Sequence, residues 1–160
     1  MVISNNGSGL CNRLKSLLSA MRIADLKNEE AKVDWPIGEG SVGSCHFNDL
    51  FKNSDMVIRR PDYPANCTMY NYWRFYIDDN DPIPNNFSEG CGIRYNNPIK
   101  FNSHSHARSD GKNIDLEFYR IPEEIRLSYL KQLSKLKIKE NILEEVEVFS
   151  KKFDNNTVSV

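Results

Sequence analysis

The stretch NNGSGLCNRLKSLLSAMRIADL, Asn5–Leu26, follows a short apolar run, VIS, and places two glycines ahead of a helical pattern. Apolar residues then recur at helical spacing, at Leu10, Leu14, Leu17, Leu18, Met21, Ile23 and Ala24. The run AKVDW (31–35) is typical of a second strand. These segments predict a strand, a helix and a strand joined as a parallel crossover, with the glycine turn at the mouth of the helix.

Composition limits the classes of protein to consider. A chain of 160 residues suits one domain, residues 1–160, and a net charge of −1 gives no electrostatic footprint for nucleic acid. No apolar run is long enough for a membrane span, and the first residues lack the pattern of a secretory signal. We therefore expect a cytoplasmic protein without a membrane span. Cys11, Cys45, Cys67 and Cys91 form no CxxC pair and are expected to be reduced thiols.

The rest of the chain alternates strand and helix signals. CHFNDLF (45–51) predicts a helical turn, while DMVIRR (55–60), MYNYWRFYI (69–77), PIKF (98–101) and TVSV (157–160) predict strands. NSHSHARSDGKN (102–113) has the composition of a surface loop. Two helices are predicted over IPEEIRLSYLKQLSKL (121–136) and KENILEEVEVFSKKF (139–153). The predicted fold class is α/β, a Rossmann-like three-layer domain with a parallel sheet that contains both VIS and TVSV.

The glycine turn admits several interpretations. A helix N-terminus carries unpaired N–H groups and favours an anion, and glycines let a ligand approach the backbone. GSGLCN (7–12) nearly matches the G-x-G-x-x-G dinucleotide fingerprint, with Asp34 near the expected acidic position, but Asn12 replaces the third glycine. A P-loop is excluded because no G-K-[ST] follows. Gly7 and Gly9 could also serve only a tight turn.

Other polar and aromatic candidates carry weaker signals. His104 and His106 form H-x-H in a polar stretch, but no cysteine or carboxylate at a usable spacing completes a metal site. Trp35, Trp73 and their aromatic neighbours could stack on a sugar, although alternating aromatics are typical of core strands. We expect Arg59-Arg60 to be a solvated pair at the end of a strand. We expect Cys45-His46 to pack beside the D-L-F turn.

The N-terminal block resembles the fucosyltransferase-like glycosyltransferases, a superfamily that includes nodulation fucosyltransferases, α1,6-fucosyltransferases and protein O-fucosyltransferases. The resemblance lies in residues 9–14, GLCNRL, in Trp35 at the end of the second strand, and in CHFNDLF, which matches C-x-F-x-D-L-F. The tail from IPEEI to NNTVSV resembles the stretch that leads to the family's next block. The middle, residues 55–115, has no counterpart that we recognise.

The resemblance implies a fold and a reaction. It implies the N-terminal, acceptor-side half of a two-domain GT-B enzyme that transfers fucose from GDP-fucose to a glycan or peptide acceptor without a metal. It assigns substrate binding to Gly9, Asn12 and Arg13, with the Asn12 amide facing the cleft and the Arg13 guanidinium as a candidate phosphate ligand. From the residues alone, Arg13 in a structural salt bridge and Asn12 capping its own turn remain open.

The family's catalytic arginine lies in an H-x-R block that would fall just after Val160. We therefore expect no catalytic residue within 1–160 and a C-terminal nucleotide-sugar-binding domain outside this chain, so that the chain alone is inactive. The alternative is a non-catalytic α/β domain that binds a nucleotide or a protein partner and uses the glycine turn for structure. An H-x-R motif soon after Val160 would favour the enzyme.

Overall fold

The computed structural model describes residues 1–38, 41–78, 80–81, 94–96, 111–114 and 122–153. In its parallel sheet, β1 (Val2–Asn5) lies between β2 (Ala31–Asp34) and β3 (Thr68–Tyr70). Val2 is in register with Ala31 on one side and with Thr68 on the other. The predicted crossover is confirmed, because β1 and β2 run parallel and α1 (Leu10–Lys27) connects them.

Helix α1 lies against one face of this sheet. Its inner surface carries small side chains, which let the helix approach the strands closely. The Ser16 hydroxyl donates to the carbonyl oxygen of Tyr70 at 2.9 Å and accepts a hydrogen bond from Ser4 at 3.0 Å. The helix ends at Asn28, whose left-handed φ of 52° turns the chain towards β2. Leu10, part of the apolar pattern, is exposed at the other end.

The opposite face of the parallel sheet is covered differently from the prediction. Ile3, Cys67 and Met69 are buried there, and Ile58 and Tyr63 pack over them. Within the described part of the chain, this cover is an irregular segment and not a helix. The observed fold is a mixed α/β arrangement with a small parallel sheet, which is compatible with a Rossmann-like fold.

A second sheet separates two strands that the sequence predicted as one. MYNYWRFYI divides into β3 and β4 (Phe75–Ile77), and β4 joins β6 (Gly111–Ile114) and β5 (Arg94–Asn96) in an antiparallel sheet. Between the two strands, backbone carbonyl oxygens accept hydrogen bonds from side chains and not from a neighbouring strand. Asn6 donates to the carbonyl oxygen of Asn71, and the Tyr70 hydroxyl donates to that of Arg74.

Two further strand and loop predictions are wrong. In DMVIRR, Ser54–Met56 is a 3-10 turn, and the chain pairs with β2 only through a single bridge from Val57 to Val33. A second 3-10 turn, Arg60–Asp62, contains Pro61 and ends this contact. Residues 111–113, assigned to a loop, belong to β6. PIKF, TVSV and residues 102–110 lie outside the described residues, so the expected place of TVSV in the same sheet as VIS stays a prediction.

The remaining helices are confirmed. The short α2 (Phe47–Leu50) begins at His46, whose side chain and that of Asp49 form a reciprocal capping box. Helix α3 (Glu123–Leu133) buries Ile125 and Tyr129 against α1 and the second sheet. Helix α4 (Glu140–Ser150) follows it. None of the helices within the described ranges combines the length and the apolar character needed to cross a membrane.

Candidate functional site

The glycine turn lies where the parallel strands end. β1 ends at Asn5, level with Asp34 of β2 across the register, and the turn follows directly. In open α/β sheets this carboxyl edge is where ligands bind. The structure places Gly9, Asn12 and Arg13 at this edge, with the Arg13 side chain buried and not facing solvent.

Arg13 is buried beneath the turn and organises it. Its guanidinium donates to four backbone carbonyl oxygens: Ser8 at 2.5 Å, Pro36 at 2.7 Å, Val42 at 2.9 Å and Gly7 at 3.3 Å. The expected structural salt bridge is wrong, because no carboxylate in the described part of the chain pairs with Arg13. Instead, carbonyl dipoles from two connections, the glycine turn and the segment between β2 and α2, converge on one cation, which fixes the two relative to one another.

The surroundings of Arg13 also set its electrostatics. Burial lowers the pKa of the Arg13 guanidinium, while the neighbouring Cys45 raises it in part. The guanidinium remains charged at neutral pH, since arginine does not lose its proton in proteins. It lies 4.9 Å from the centre of the Trp35 ring. A positive charge without a carboxylate thus lies beneath the carboxyl edge of the sheet.

Two glycines around the turn, Gly43 and Gly9, differ in whether the fold requires a glycine at their position. Gly43 has φ +116°, a backbone conformation that other residues rarely adopt, so the backbone requires glycine there. A Cβ at this position would only touch the Arg13 guanidinium, at 3.7 Å. Gly9 instead has an extended φ of −61°, and no atom lies within 4 Å of the position of its missing Cβ. The fold of the described residues therefore does not explain a glycine at position 9. Its bare backbone leaves open space in front of the helix.

Asn12 presents an unused amide beside that space. Its side chain is half-buried and makes no hydrogen bond with the described residues, so it does not cap its own turn. The N–H groups of Gly9, Leu10 and Cys11 likewise find no acceptor in the described part of the chain, because Gly9 caps the helix without a side chain. The first turn of α1 therefore offers several donors and one amide acceptor to solvent.

Asn6, which sequence analysis did not single out, stabilises the turn from the other side. It is buried, its amide nitrogen donates to the carbonyl oxygen of Asn71 at 2.7 Å, and its oxygen accepts from the backbone of Ser8 at 3.0 Å. An asparagine ahead of Gly-Ser-Gly is a usual signal for this local bond to the chain two residues on. The side chain of Asn6 therefore makes hydrogen bonds within the turn, whereas that of Asn12, six residues later, makes none with the described residues.

Asp34 belongs to an internal network. Its carboxylate accepts hydrogen bonds from the Tyr63 hydroxyl at 2.7 Å and from Asn5 at 2.9 Å, and Arg59 lies 3.5 Å from its other oxygen. Burial, and secondarily the Asp34 carboxylate, raise the pKa of Tyr63, although the Asn5 hydrogen bond opposes this. Because internal partners occupy this carboxylate, it is a poor match for the ribose ligand of a dinucleotide site.

The other candidates are dispersed. Trp35 is buried and donates to the carbonyl oxygen of Cys45, so it offers no sugar-stacking face, whereas Trp73 is exposed. Cys11, Cys45 and Cys67 are free thiols, and burial raises the pKa of Cys67. His104, His106 and Cys91 lie outside the described residues. Within the described ranges, no three His, Cys, Asp or Glu side chains are grouped to hold a metal.

The chemical capacity of this edge is to bind, and no group in the described turn suits proton transfer. Free N–H groups and a buried cation favour a negatively charged group in front of α1, and the Asn12 amide can donate to and accept from a polar neighbour of that group. Comparisons with models of known families, with curated proteins and with solved structures find no match for this chain.

Proposed function

We propose that this chain is the acceptor-side domain of a fucosyltransferase-like glycosyltransferase of the GT-B type, which transfers fucose from GDP-fucose to a glycan or peptide acceptor. The observation that carries the proposal is the unbonded Asn12 amide at the carboxyl edge of the sheet, next to the bare backbone of Gly9. A residue retained only for the turn would be bonded into it, as Asn6 is.

The electrostatics of the turn support a ligand of this kind. In an inverting sugar transfer, a nucleotide diphosphate leaves as the acceptor attacks, and positive groups stabilise the departing charge. The helix N-terminus and the buried Arg13 both favour negative charge nearby. Direct binding of phosphate by Arg13 stays a prediction, because its guanidinium already donates to carbonyl groups in this structure. We therefore assign the first contact to Asn12 and a supporting role to Arg13.

The second candidate is a non-catalytic α/β domain that binds a nucleotide or a protein partner. The absence of a catalytic acid or base around the described turn is compatible with it. The two candidates differ in what Asn12 contacts, since a sugar transferase places its amide against the sugar, whereas a general nucleotide site needs only the phosphate groups.

A nuclear magnetic resonance titration of the isotope-labelled chain separates them. The proposal assigns most of the donor contacts to a second domain, so the titration extends to high ligand concentration. There we expect GDP-fucose to shift the side-chain amide signals of Asn12 and the backbone signals of Gly9–Asn12, and GDP alone to shift the Asn12 side chain much less. Equal shifts with GDP and GDP-fucose would favour the non-catalytic alternative. If neither ligand moves these signals, the assignment of a donor contact to Asn12 is wrong, and of the second candidate only binding of a protein partner is left. Asn12→Ala should remove the response, and Asn141→Ala, an exposed asparagine in α4, is the matched control.

A further inference from the structure

Helix α4 exposes a row of apolar side chains, here called the α4 stripe: Ile138, Ile142, Val146, Phe149 and Phe153. These residues are spaced by three or four positions. Ile142, Val146 and Phe149 lie on one side of α4, while Ile138 precedes the helix and Phe153 follows it. None of the α4 residues is buried, and Val146 and Phe149 are 57% and 58% exposed. The segment is nevertheless fixed at its beginning, since Ile138 pairs with Phe51 and Lys139 donates to the carbonyl oxygen of Leu50.

The α4 stripe continues into an apolar groove. Ile138 and Ile142 form one wall of a cavity of about 290 Å³, and Leu14, Leu50 and Leu136 lie among its other walls. Phe149 and Phe153 then extend the apolar surface along α4, with their ring centres 5.0 Å apart. Exposed aromatic side chains in an ordered row are unusual for a surface that remains in water, and they are typical of an interface.

Charges beside the α4 stripe indicate which occupant it accepts. Glu145 lies in α4, and Lys152, seven residues later, lies in the turn that follows the helix, with its ammonium 5.6 Å from the centre of the Phe149 ring. Continuing the helical turn places both charges near the same edge of the stripe. When two identical helices pair in antiparallel orientation, like edges meet, and Glu145 of one copy lies opposite Lys152 of the other. The exchange occurs twice because the pair is symmetric. A parallel pairing would instead bring each edge against the opposite edge of the other copy, so Glu145 and Lys152 would not meet. Glu145 forms no ion pair within the described residues.

The same register also matches the apolar side chains. With the two-fold axis near Phe149, the two Phe149 side chains face each other, and Val146 of each copy lies against Phe153 of the other. Charge and apolar contacts therefore specify one arrangement. We propose that a second copy of this chain covers the α4 stripe through antiparallel α4–α4 pairing. Since α4 is 11 residues long, about 16 Å, the pairing is weak and depends on protein concentration.

Sedimentation equilibrium of the chain over a wide concentration range tests this proposal. We expect a monomer–dimer equilibrium that high salt weakens. Phe149→Glu should make the chain monomeric at every concentration. Glu145→Lys and Lys152→Glu should each weaken the dimer at least tenfold, and the double variant should restore it, because the exchanged charges are again opposite.

Val148→Glu is the matched control, since Val148 is 62% exposed on another side of α4 and should leave the dimer intact. Circular dichroism should show that every variant is folded, because all the substituted side chains are exposed. A wild-type chain that stays monomeric would overturn the proposal and leave the stripe to a different partner. A dimer in which Glu145→Lys and Lys152→Glu do not restore one another would also overturn it.

Discussion

Two adjacent side chains at the mouth of α1 have opposite surroundings. Arg13 is buried and fully engaged with backbone carbonyl groups, whereas the neighbouring Asn12 has no partner among the described residues. Removing a bonded buried group leaves its acceptors unsatisfied, and removing an unbonded surface group costs little. The two positions should therefore separate stability from binding.

Arg13→Lys tests the structural role of the guanidinium. Lysine keeps the charge but has a single nitrogen, which cannot reach all four carbonyl groups on the two connections that Arg13 joins. We expect the free energy of unfolding to fall by about 2–4 kcal/mol in urea denaturation. Arg126→Lys is the control, because Arg126 forms an exposed pair with Glu123 and should change stability by less than about 0.5 kcal/mol. Equal losses at the two positions would contradict a clamping role for Arg13.

The sequence predicted where these residues lie better than what they contact. A strand, a glycine turn and a helix place Gly9, Asn12 and Arg13 at the carboxyl edge of a parallel sheet, and this position depends on local signals alone. The partners of Arg13 come from residues 36 and 42, and those of Asp34 from residues 5 and 63. Such contacts depend on how distant loops meet, which periodicity and spacing do not record.

At the level of elements, α1 and α3 are joined by polar contacts as well as by apolar packing. The Tyr129 hydroxyl donates to the carbonyl oxygen of Tyr76, and it lies 3.1 Å from the hydroxyl of Ser19. At the other end, Asp25 of α1 accepts hydrogen bonds from Gln132 and Lys135 at 2.8 Å each. These contacts fix how the two helices lie against each other, and the Asp25 contacts depend on its charge.

Acid should weaken the contact between α1 and α3. Burial alone would raise the pKa of Asp25, but hydrogen bonds from Lys135 and Gln132, together with the charges of Lys135 and Lys131, lower it below its ordinary value. A lowered pKa stabilises the folded chain at neutral pH, and this contribution is lost as the pH falls below about 4.

Thermal unfolding as a function of pH measures this contribution. Asp25→Asn should lower the melting temperature at pH 7, and the difference from the wild type should vanish as the pH approaches about 2. An exposed carboxylate gives the comparison, since Glu144→Gln should follow the wild-type curve throughout. A constant difference between Asp25→Asn and the wild type at every pH would mean that the Asp25 charge does not act as described.

Helices were predicted well and short strands poorly, for a physical reason. Helices α1, α3 and α4 have their hydrogen bonds within one segment, and their periodicity is visible in the sequence. The strand predicted over DMVIRR fails because its backbone bonds are local turns. Residues 111–114 form a strand only because β4 and β5 lie on either side of it. Strand identity in this region depends on pairing with distant residues.

At the level of the whole molecule, two surfaces of the described residues carry groups without internal partners on which a ligand or partner could act. One is the carboxyl edge of the parallel sheet, with the open space before Gly9 and the Asn12 amide. The other is the α4 stripe. Both surfaces surround a core whose members are tightly buried, so substitutions on them can alter binding while the fold persists. We propose that the Asn12 amide contacts a ligand and does not cap its own turn.

Differential scanning calorimetry of the wild-type chain and of Asn12→Ala, with and without GDP-fucose, tests that claim most directly. A ligand that binds the native state raises the melting temperature, by roughly 3–6 °C at about ten times its dissociation constant. We expect the two proteins to melt at the same temperature without ligand, and only the wild type to be stabilised by GDP-fucose. If Asn12→Ala melts lower without ligand and gains the same stabilisation as the wild type, Asn12 serves the fold and the claim is wrong.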